Sequence, residues 1–177
     1  MSTRPYKGIS PSIGDRCYID EAAVIIGDVE IGADSSIWPW CVVRGDVNLI
    51  RIGARTNVQD LSCIHVTHDG PYTPEGGIPT LIGDEVTIGH KALIHACTIG
   101  DRCLIGMGAI VMDGAVLEDE VIVAAGSLVS PGKVLEARSL YRGSPARRVR
   151  DLTADEVEQL SYSAAHYVRL KDSYLSD

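Results

Sequence analysis

Aliphatic residues recur at every sixth position over most of the chain. The first unbroken series is Ile13, Ile19, Ile25, Ile31, Ile37 and Val43. A three-residue insertion near Asp46–Leu49 and a longer break from His65 to Leu81 interrupt the spacing, and one residue is dropped before Ile99. The later members of the series are Ile52, Val58, Ile64, Ile82, Ile88, Ile94, Ile99, Ile105, Val111, Leu117, Val123 and Val129. A period of six fits neither the 3.6-residue period of a helix nor a run of ordinary hairpins.

This pattern predicts an all-β solenoid in which each hexad forms one short strand and one turn, with the aliphatic side chain pointing inward. Three hexads would complete a coil, so residues 10–134 are expected to form a parallel β-helix of about six triangular coils. Successive coils would hydrogen-bond at a spacing of about 4.8 Å. The spacing alone does not specify the handedness of the coil.

The C-terminal part of the chain departs from this period. The repeat is expected to end after Lys133, and residues 135–152, rich in arginine, are expected to form a turn-rich connector. Thr153 and Glu156 have the spacing of a capping box, and apolar residues then follow three and four positions apart. Residues 153–176 are therefore predicted to form one amphipathic helix that packs on a wall of this prism or of a neighbour's.

Composition narrows the class of protein. The chain has no Phe and only two Trp, so its core must be narrow and filled by aliphatic and small residues. A net charge of −8 argues against nucleic acid as a partner, and no apolar run is long enough to span a bilayer. The N-terminus does not resemble a signal peptide, and the five cysteines form no Cys-x-x-Cys pair. These features predict a cytoplasmic protein with reduced thiols, of which three are expected in the core: Cys17, Cys41 and Cys103.

Counting hexads places two histidines in one column. If each wall of the prism recurs at every third hexad, Val43, Ile64 and Ile94 open strands of the same wall. The residues that follow them, Arg44, His65 and His95, then project outward on consecutive coils.

Two imidazoles one coil apart can share a metal ion, because zinc–nitrogen bonds are only about 2.1 Å long. His90 falls on the preceding wall, in a column with Pro39 and Asp60, and is not expected to reach that ion within its own chain. A second copy of the chain in a three-fold assembly would supply it, which predicts a homotrimer with intersubunit sites for Zn, with Co and Fe also compatible.

The histidines and their flanking residues resemble the γ-class carbonic anhydrases, a trimeric branch of the left-handed, hexapeptide-repeat β-helix proteins. The matching segments are Val43–Arg44–Gly45–Asp46, Asn57–Val58–Gln59–Asp60, Cys63–Ile64–His65 and Ile88–Gly89–His90 through Ile94–His95. The resemblance implies a left-handed coil, with His65 and His95 binding the metal from one subunit and His90 from the next. It also implies reversible hydration of CO2 to bicarbonate by a metal-bound hydroxide.

The same resemblance assigns roles to other side chains. Gln59 would orient the hydroxide, with Asn57 beside it. Arg44 would lie near the anionic product or pair with Asp60 across the interface, and Asp46 would hold Arg44. The alternative for the three charged residues is a structural ion-pair network that sets the register of the trimer.

Three features depart from the pattern of well-known active members, and the short loop resembles that of a bacterial subgroup. Val47 stands where those members have an acidic residue for proton transfer. The loop Val66–Thr80 is short, and His68 occupies the place of their shuttle glutamate, where it would either relay protons or be a spare loop residue. In the C-terminal helix, His166 stands where an Asn near the metal is common.

Two other functions remain open at this stage. Acyltransferases are common on the hexapeptide fold, but they use a lone histidine as base rather than three at metal-binding spacing. A non-catalytic trimer that binds metal as a scaffold or store is the other alternative.

Overall fold

The computed structural model describes residues 2–176 as a β-solenoid followed by one helix. In chain order the strands are β1 (Ser2–Arg4), β2 (Ser12–Ile13), β3 (Tyr18–Ile19), β4 (Val24–Ile31), β5 (Ser36–Ile37), β6 (Val42–Ile52), β7 (Asn57–Val58), β8 (Cys63–His65), β9 (Thr80–Ile82), β10 (Thr87–Ile88), β11 (Leu93–His95), β12 (Thr98–Ile99), β13 (Leu104–Ile105), β14 (Ile110–Val111), β15 (Val116–Leu117), β16 (Ile122–Val123), β17 (Leu128–Val129), β18 (Val134–Leu135), β19 (Ser139–Gly143) and β20 (Ala146–Asp151). The helix α1 spans Ala154–Ser176.

The strands form three walls, and strands of neighbouring coils pair in parallel. Wall one contains β2, β9, β12, β15 and β18 with the second halves of β4 and β6. Wall two contains β3, β5, β7, β10, β13, β16 and β19. Wall three contains β8, β11, β14 and β17 with the first halves of β4 and β6. The predicted parallel solenoid with a C-terminal helix is confirmed.

The repeating aliphatic residues fill one narrow core. Ile25, Val43, Ile64 and Ile94 stack on wall three, and none of them is exposed. Of the cysteines predicted in the core, Cys41 and Cys103 are buried and Cys17 is half-buried. Burial raises the pKa of Cys41 to about 11 and that of Cys103 to about 12, so these thiols stay protonated and unreactive at neutral pH.

Tight corners join the walls. At the corner between walls two and three, Trp40, Leu61 and Lys91 each adopt a positive φ of 60° to 65°. This left-handed conformation is costly for residues with a Cβ atom, and the hydrogen bonds between stacked corners help to offset it, as from Lys91 N to Asp60 O at 2.9 Å. His90 immediately precedes the positive-φ residue of its coil, which places it at the edge of wall two.

The solenoid continues past Lys133, where the sequence analysis ended it. Leu135 pairs with Leu117 on wall one, and Tyr141 pairs with Val123 on wall two. Both are buried and keep the six-residue spacing, Leu135 with an aliphatic side chain and Tyr141 with an aromatic ring in its place. The segment 135–152 is therefore not a plain connector, because β19 and β20 form an antiparallel hairpin that closes the stack.

Helix α1 packs on wall two. Its capping box is formed as predicted: Glu156 N donates to Thr153 Oγ1 at 3.2 Å, and Thr153 N donates to a carboxylate oxygen of Glu156 at 2.9 Å. Near its C-terminus, Tyr174 packs edge-on against Trp38 of wall two, with ring centroids 5.1 Å apart. Within residues 2–176, no helix is long and apolar enough to cross a membrane.

Candidate metal centre

His65 and His95 are direct neighbours across two coils. They are paired in the register of β8 and β11, and Nδ1 of His65 lies 3.3 Å from Nε2 of His95. Parallel stacking brings them together although thirty residues separate them in sequence. Both rings project outward from wall three and remain partly accessible.

A carboxylate holds the far side of each ring. Nε2 of His65 lies 3.0 Å from Oδ1 of Asp46, and Nδ1 of His95 lies 2.7 Å from Oδ1 of Asp113. The second oxygen of Asp46 accepts from Arg44 at 2.5 Å, and that of Asp113 accepts from Thr67. Asp113 is absent from the sequence-derived site, although it lies two residues after Val111, the aliphatic residue stacked on Ile94.

These contacts favour ionised carboxylates at Asp46 and Asp113 and a neutral ring at His65. Burial opposes ionisation of Asp46, but hydrogen bonds from His65 and Arg44 outweigh it and lower the pKa of the carboxyl. Burial likewise opposes ionisation of Asp113, and hydrogen bonds from Thr67 and His95 lower its pKa. Partial burial lowers the pKa of His65, which favours the neutral imidazole at pH 7.

The carboxylate contacts leave the facing nitrogens of the two rings available as donors to a metal ion. A neutral imidazole carries one N–H, and where that N–H is donated to the carboxylate the facing nitrogen keeps its lone pair. Two lone pairs then point towards one another across 3.3 Å, an arrangement that a cation between them stabilises. Two nitrogens bound to one zinc ion at about 2.0–2.1 Å with tetrahedral geometry lie about 3.3–3.4 Å apart. The donor set thus fits a zinc-like ion.

His90 lies apart from this pair. Its Nδ1 atom is 2.9 Å from Oδ2 of Asp60 at the corner between walls two and three, and its side chain is 45% exposed. Among residues 2–176, no hydrogen bond joins His90 to His65 or His95, and no group of three or more His, Cys, Asp or Glu side chains is arranged to hold a metal ion. One chain therefore presents a pair of donors on wall three and a separate histidine on the neighbouring corner.

An open pocket of about 460 Å³ lies beside His90, on the part of wall two below the helix. Its lining includes Gln59, Met107 and Ser163 together with His90. The pocket combines an imidazole and an amide with apolar surface, which suits a small ligand that is held by a few polar contacts.

Buried polar side chains connect this pocket to the helix. Nε2 of Gln59 donates to Oδ1 of Asn57 at 3.1 Å, Nδ2 of Asn57 donates to Oγ1 of Thr87 at 3.0 Å, and that hydroxyl lies 3.1 Å from Oγ of Ser163. Ser163, and not His166, is the helix residue that lines the pocket. His166 is exposed, with its ring stacked on Tyr162.

The remaining candidates lie on the wall-three side. Arg44 is partly exposed and is held by Asp46 within its own chain, while Asp60 is the partner of His90. His68 is exposed at the start of the loop that Thr67 and Ile78 close by a pair of backbone hydrogen bonds of 3.0 Å. Val47 is also exposed and lines a second pocket of about 230 Å³ next to Asp46.

Comparison with known proteins places these features in a family. Residues 10–45 and 96–131 match the family described as bacterial transferase hexapeptide (six repeats). The chain is 53% identical over 172 residues to the Escherichia coli protein YrdA, an alignment that covers 97% of this chain and 93% of that protein. It is 44% identical over 170 residues to gamma carbonic anhydrase 2, mitochondrial, of Arabidopsis thaliana, which covers 95% of this chain and 60% of that protein.

Among solved structures, a hexapeptide transferase family protein from Anaplasma phagocytophilum superposes with a TM-score of 0.90. It is 43% identical, and the alignment covers 98% of each chain. The resemblance noted in the sequence is thus confirmed over nearly the whole chain. This protein belongs to the hexapeptide-repeat, left-handed β-helix family, in the branch that contains the γ-class carbonic anhydrases.

Proposed function

We propose that the chain is the subunit of a homotrimeric, metal-dependent enzyme that interconverts CO2 and bicarbonate. The observation that carries the proposal is the pair of facing ring nitrogens of His65 and His95, 3.3 Å apart, with a carboxylate on the far side of each ring. The name of the Arabidopsis relative supplies the reaction class.

Zinc is the proposed ion, and cobalt and iron are compatible with the same imidazole donors. When bound, zinc supplies hydroxide at neutral pH, because it lowers the pKa of water to about 7. The protein's contribution is to hold the donor nitrogens rigidly: Asp46 fixes the ring of His65, and Asp113 fixes that of His95.

His90 is the proposed third donor, supplied by a neighbouring copy of the chain. Its Nδ1 atom is engaged with Asp60, so Nε2 is directed away from its own corner. In a closed three-fold ring every subunit would offer the His65–His95 pair to one neighbour and His90 to the other, which gives three equivalent sites.

The neighbouring side chains fit small-molecule chemistry. Asn57 accepts from the amide nitrogen of Gln59, so the amide oxygen of Gln59 is free to accept a hydrogen bond from water in the pocket. Arg44, positioned by Asp46, offers a positive charge to bicarbonate. Val47 cannot accept a proton, which leaves the exposed His68 as the proposed relay to solvent.

Mixing of variant subunits tests this assignment. His90→Ala chains and His95→Ala chains are each expected to fold but to bind little zinc and to hydrate CO2 slowly. When they are unfolded, mixed and refolded together, some interfaces combine an intact pair with an intact His90, so zinc content and stopped-flow hydration should partly recover. Gln159→Ala is the control, because that residue lies on the exposed face of the helix.

Recovery requires a shared site, and its absence in trimers shown to contain both variants would refute the intersubunit assignment. Full zinc content in His90→Ala alone would remove His90 from the ligand set.

An acyltransferase is the second candidate, since the Anaplasma protein is named as a member of the hexapeptide transferase family. Acyl transfer from a thioester donor that is independent of metal and unaffected by His95→Ala would favour it. A trimer that binds zinc but hydrates no CO2 under reducing conditions would instead be a metal-binding scaffold.

A further inference from the structure

Asp113 lies on the coil next to that of His95 and contacts it directly. Its Oδ1 atom is 2.7 Å from Nδ1 of His95, and its other oxygen accepts a hydrogen bond from Thr67 Oγ1. We propose that Asp113, itself held by Thr67, is a positioning residue that keeps His95 in the Nδ1–H tautomer and so presents Nε2 to the metal ion. The inference rests on the proposed metal site.

The number of hydrogen bonds that Asp113 can accept determines which nitrogen of His95 carries the proton. An ionised carboxylate only accepts hydrogen bonds, so both Thr67 and His95 must donate to Asp113. The proton of a neutral His95 is then on Nδ1, and Nε2 faces His65 with a free lone pair. His65 is held in the opposite sense, because its Nε2 atom is the one that contacts Asp46. The two rings would therefore bind one ion through unlike nitrogens, Nδ1 of His65 and Nε2 of His95.

Thr67 is well placed to orient Asp113. Its backbone forms two hydrogen bonds with Ile78, each 3.0 Å long, and its carbonyl accepts from Nδ2 of Asn48 at 3.2 Å. These contacts fix Thr67 at the base of the loop that follows β8. The hydroxyl of Thr67, at the base of the loop, thus contacts the carboxylate of Asp113, which in turn contacts His95.

The backbone near Asp113 does not need its side chain. The carbonyl oxygen of Asp113 accepts from Gly132 N at 2.8 Å, and this corner hydrogen bond survives any change of the side chain. Asp113→Ala is therefore expected to fold. Asp119→Ala is a matched control at the next corner of the solenoid, because the Asp119 carboxylate accepts from the backbone N–H of Asp101 and contacts no histidine.

The test uses the full chain, labelled with ¹⁵N-histidine and freed of metal. Two-bond ¹H–¹⁵N spectra should assign the Nδ1–H tautomer to His95 and the Nε2–H tautomer to His65 in the unaltered protein and in Asp119→Ala. In Asp113→Ala, and to a smaller extent in Thr67→Val, His95 should shift towards the Nε2–H tautomer while His65 is unchanged. Zinc affinity, measured by chelator competition, should fall about 10- to 100-fold in Asp113→Ala.

The proposal is overturned if His95 carries its proton on Nε2 in the unaltered protein, if Asp113→Ala leaves its tautomer unchanged, or if zinc affinity is the same in both. The tautomer measurement needs no metal, so it decides the Asp113–His95 relationship even if the unaltered protein binds no zinc. That last result would refute the proposed function separately.

Discussion

Gln59 donates a hydrogen bond from its side-chain nitrogen to Oδ1 of Asn57 over 3.1 Å, and both residues are buried. Because Asn57 also donates to Thr87, one amide fixes the orientation of another amide that lines the pocket. The position of Gln59 therefore depends on Asn57, which does not itself line the pocket.

Asn57→Ala should weaken both stability and activity. Loss of buried hydrogen-bond partners is expected to lower the free energy of unfolding by about 1–3 kcal/mol, as measured by urea denaturation. If Gln59 orients the attacking water, the rate of CO2 hydration should fall about 10- to 100-fold through misplacement of the amide. Gln159→Ala, on the exposed face of the helix, should change neither. An unaltered hydration rate in a destabilised Asn57→Ala protein would argue against a positioning role for Asn57.

Gly45→Ala should disturb the site by steric conflict. A Cβ atom at Gly45 would lie 2.5 Å from the carbonyl oxygen of Asp28, so the strand that carries Asp46 must shift. The expected cost is about 2–3 kcal/mol of unfolding free energy, with a reduced zinc affinity.

Gly132→Ala separates this effect from backbone strain. Gly132 has a φ of 65° and open space around a Cβ atom, so the substitution should cost about 1–2 kcal/mol and leave zinc affinity unchanged. Equal zinc affinities in the two variants would mean that the close approach at Gly45 does not position Asp46.

Lys171→Met should loosen the C-terminal end of the helix. Lys171 is fully buried, and its ammonium group contacts Asp34 at 2.8 Å and Asp172 at 2.6 Å. Removal of the charge leaves Asp34 without this partner, although both carboxylates remain partly exposed, so a loss of about 1–3 kcal/mol is expected.

Tryptophan fluorescence provides the local measurement for this variant, because Trp38 packs against Tyr174 of the helix. The emission should shift to the red in Lys171→Met. Lys91→Met, at an exposed corner, is the control. Identical spectra and stabilities for the two variants would contradict the anchoring role of Lys171.

Glu156 should make the helix sensitive to acid. Hydrogen bonds from Arg150 and from the backbone N–H of Thr153 lower the pKa of Glu156 to about 2. Because the folded-state pKa lies below the ordinary value, the stabilisation by Glu156 is fully present above about pH 4.5 and is lost as the pH falls through about 2.

The difference in helicity at 222 nm between the unaltered protein and Glu156→Ala should accordingly be largest near neutral pH and vanish near pH 2. Glu158→Ala, at an exposed helix position outside the capping box, serves as the control and should show no such pH-dependent difference. A constant difference from pH 7 to pH 2 would rule out the capping carboxylate as its source.

The order of aliphatic residues was sufficient to predict the walls and the pairing of His65 with His95. In a parallel solenoid without register shifts, the number of hexads between two residues sets their separation in space, so position in the sequence converts directly into position on a wall. The insertions did not disturb this count, since Ile64 and Ile94 resume the same column.

Side-chain direction and the last coil required the tertiary structure. The sequence pattern passed over Asp113, because its role depends on which way its carboxylate turns at a corner, and over Ser163, the helix residue that lines the pocket. It also ended the repeat before Tyr141, whose ring fills the core in place of an aliphatic side chain. Periodicity follows from backbone stacking, which is local and repeated, whereas a binding site depends on individual side-chain orientations that only packing in three dimensions selects.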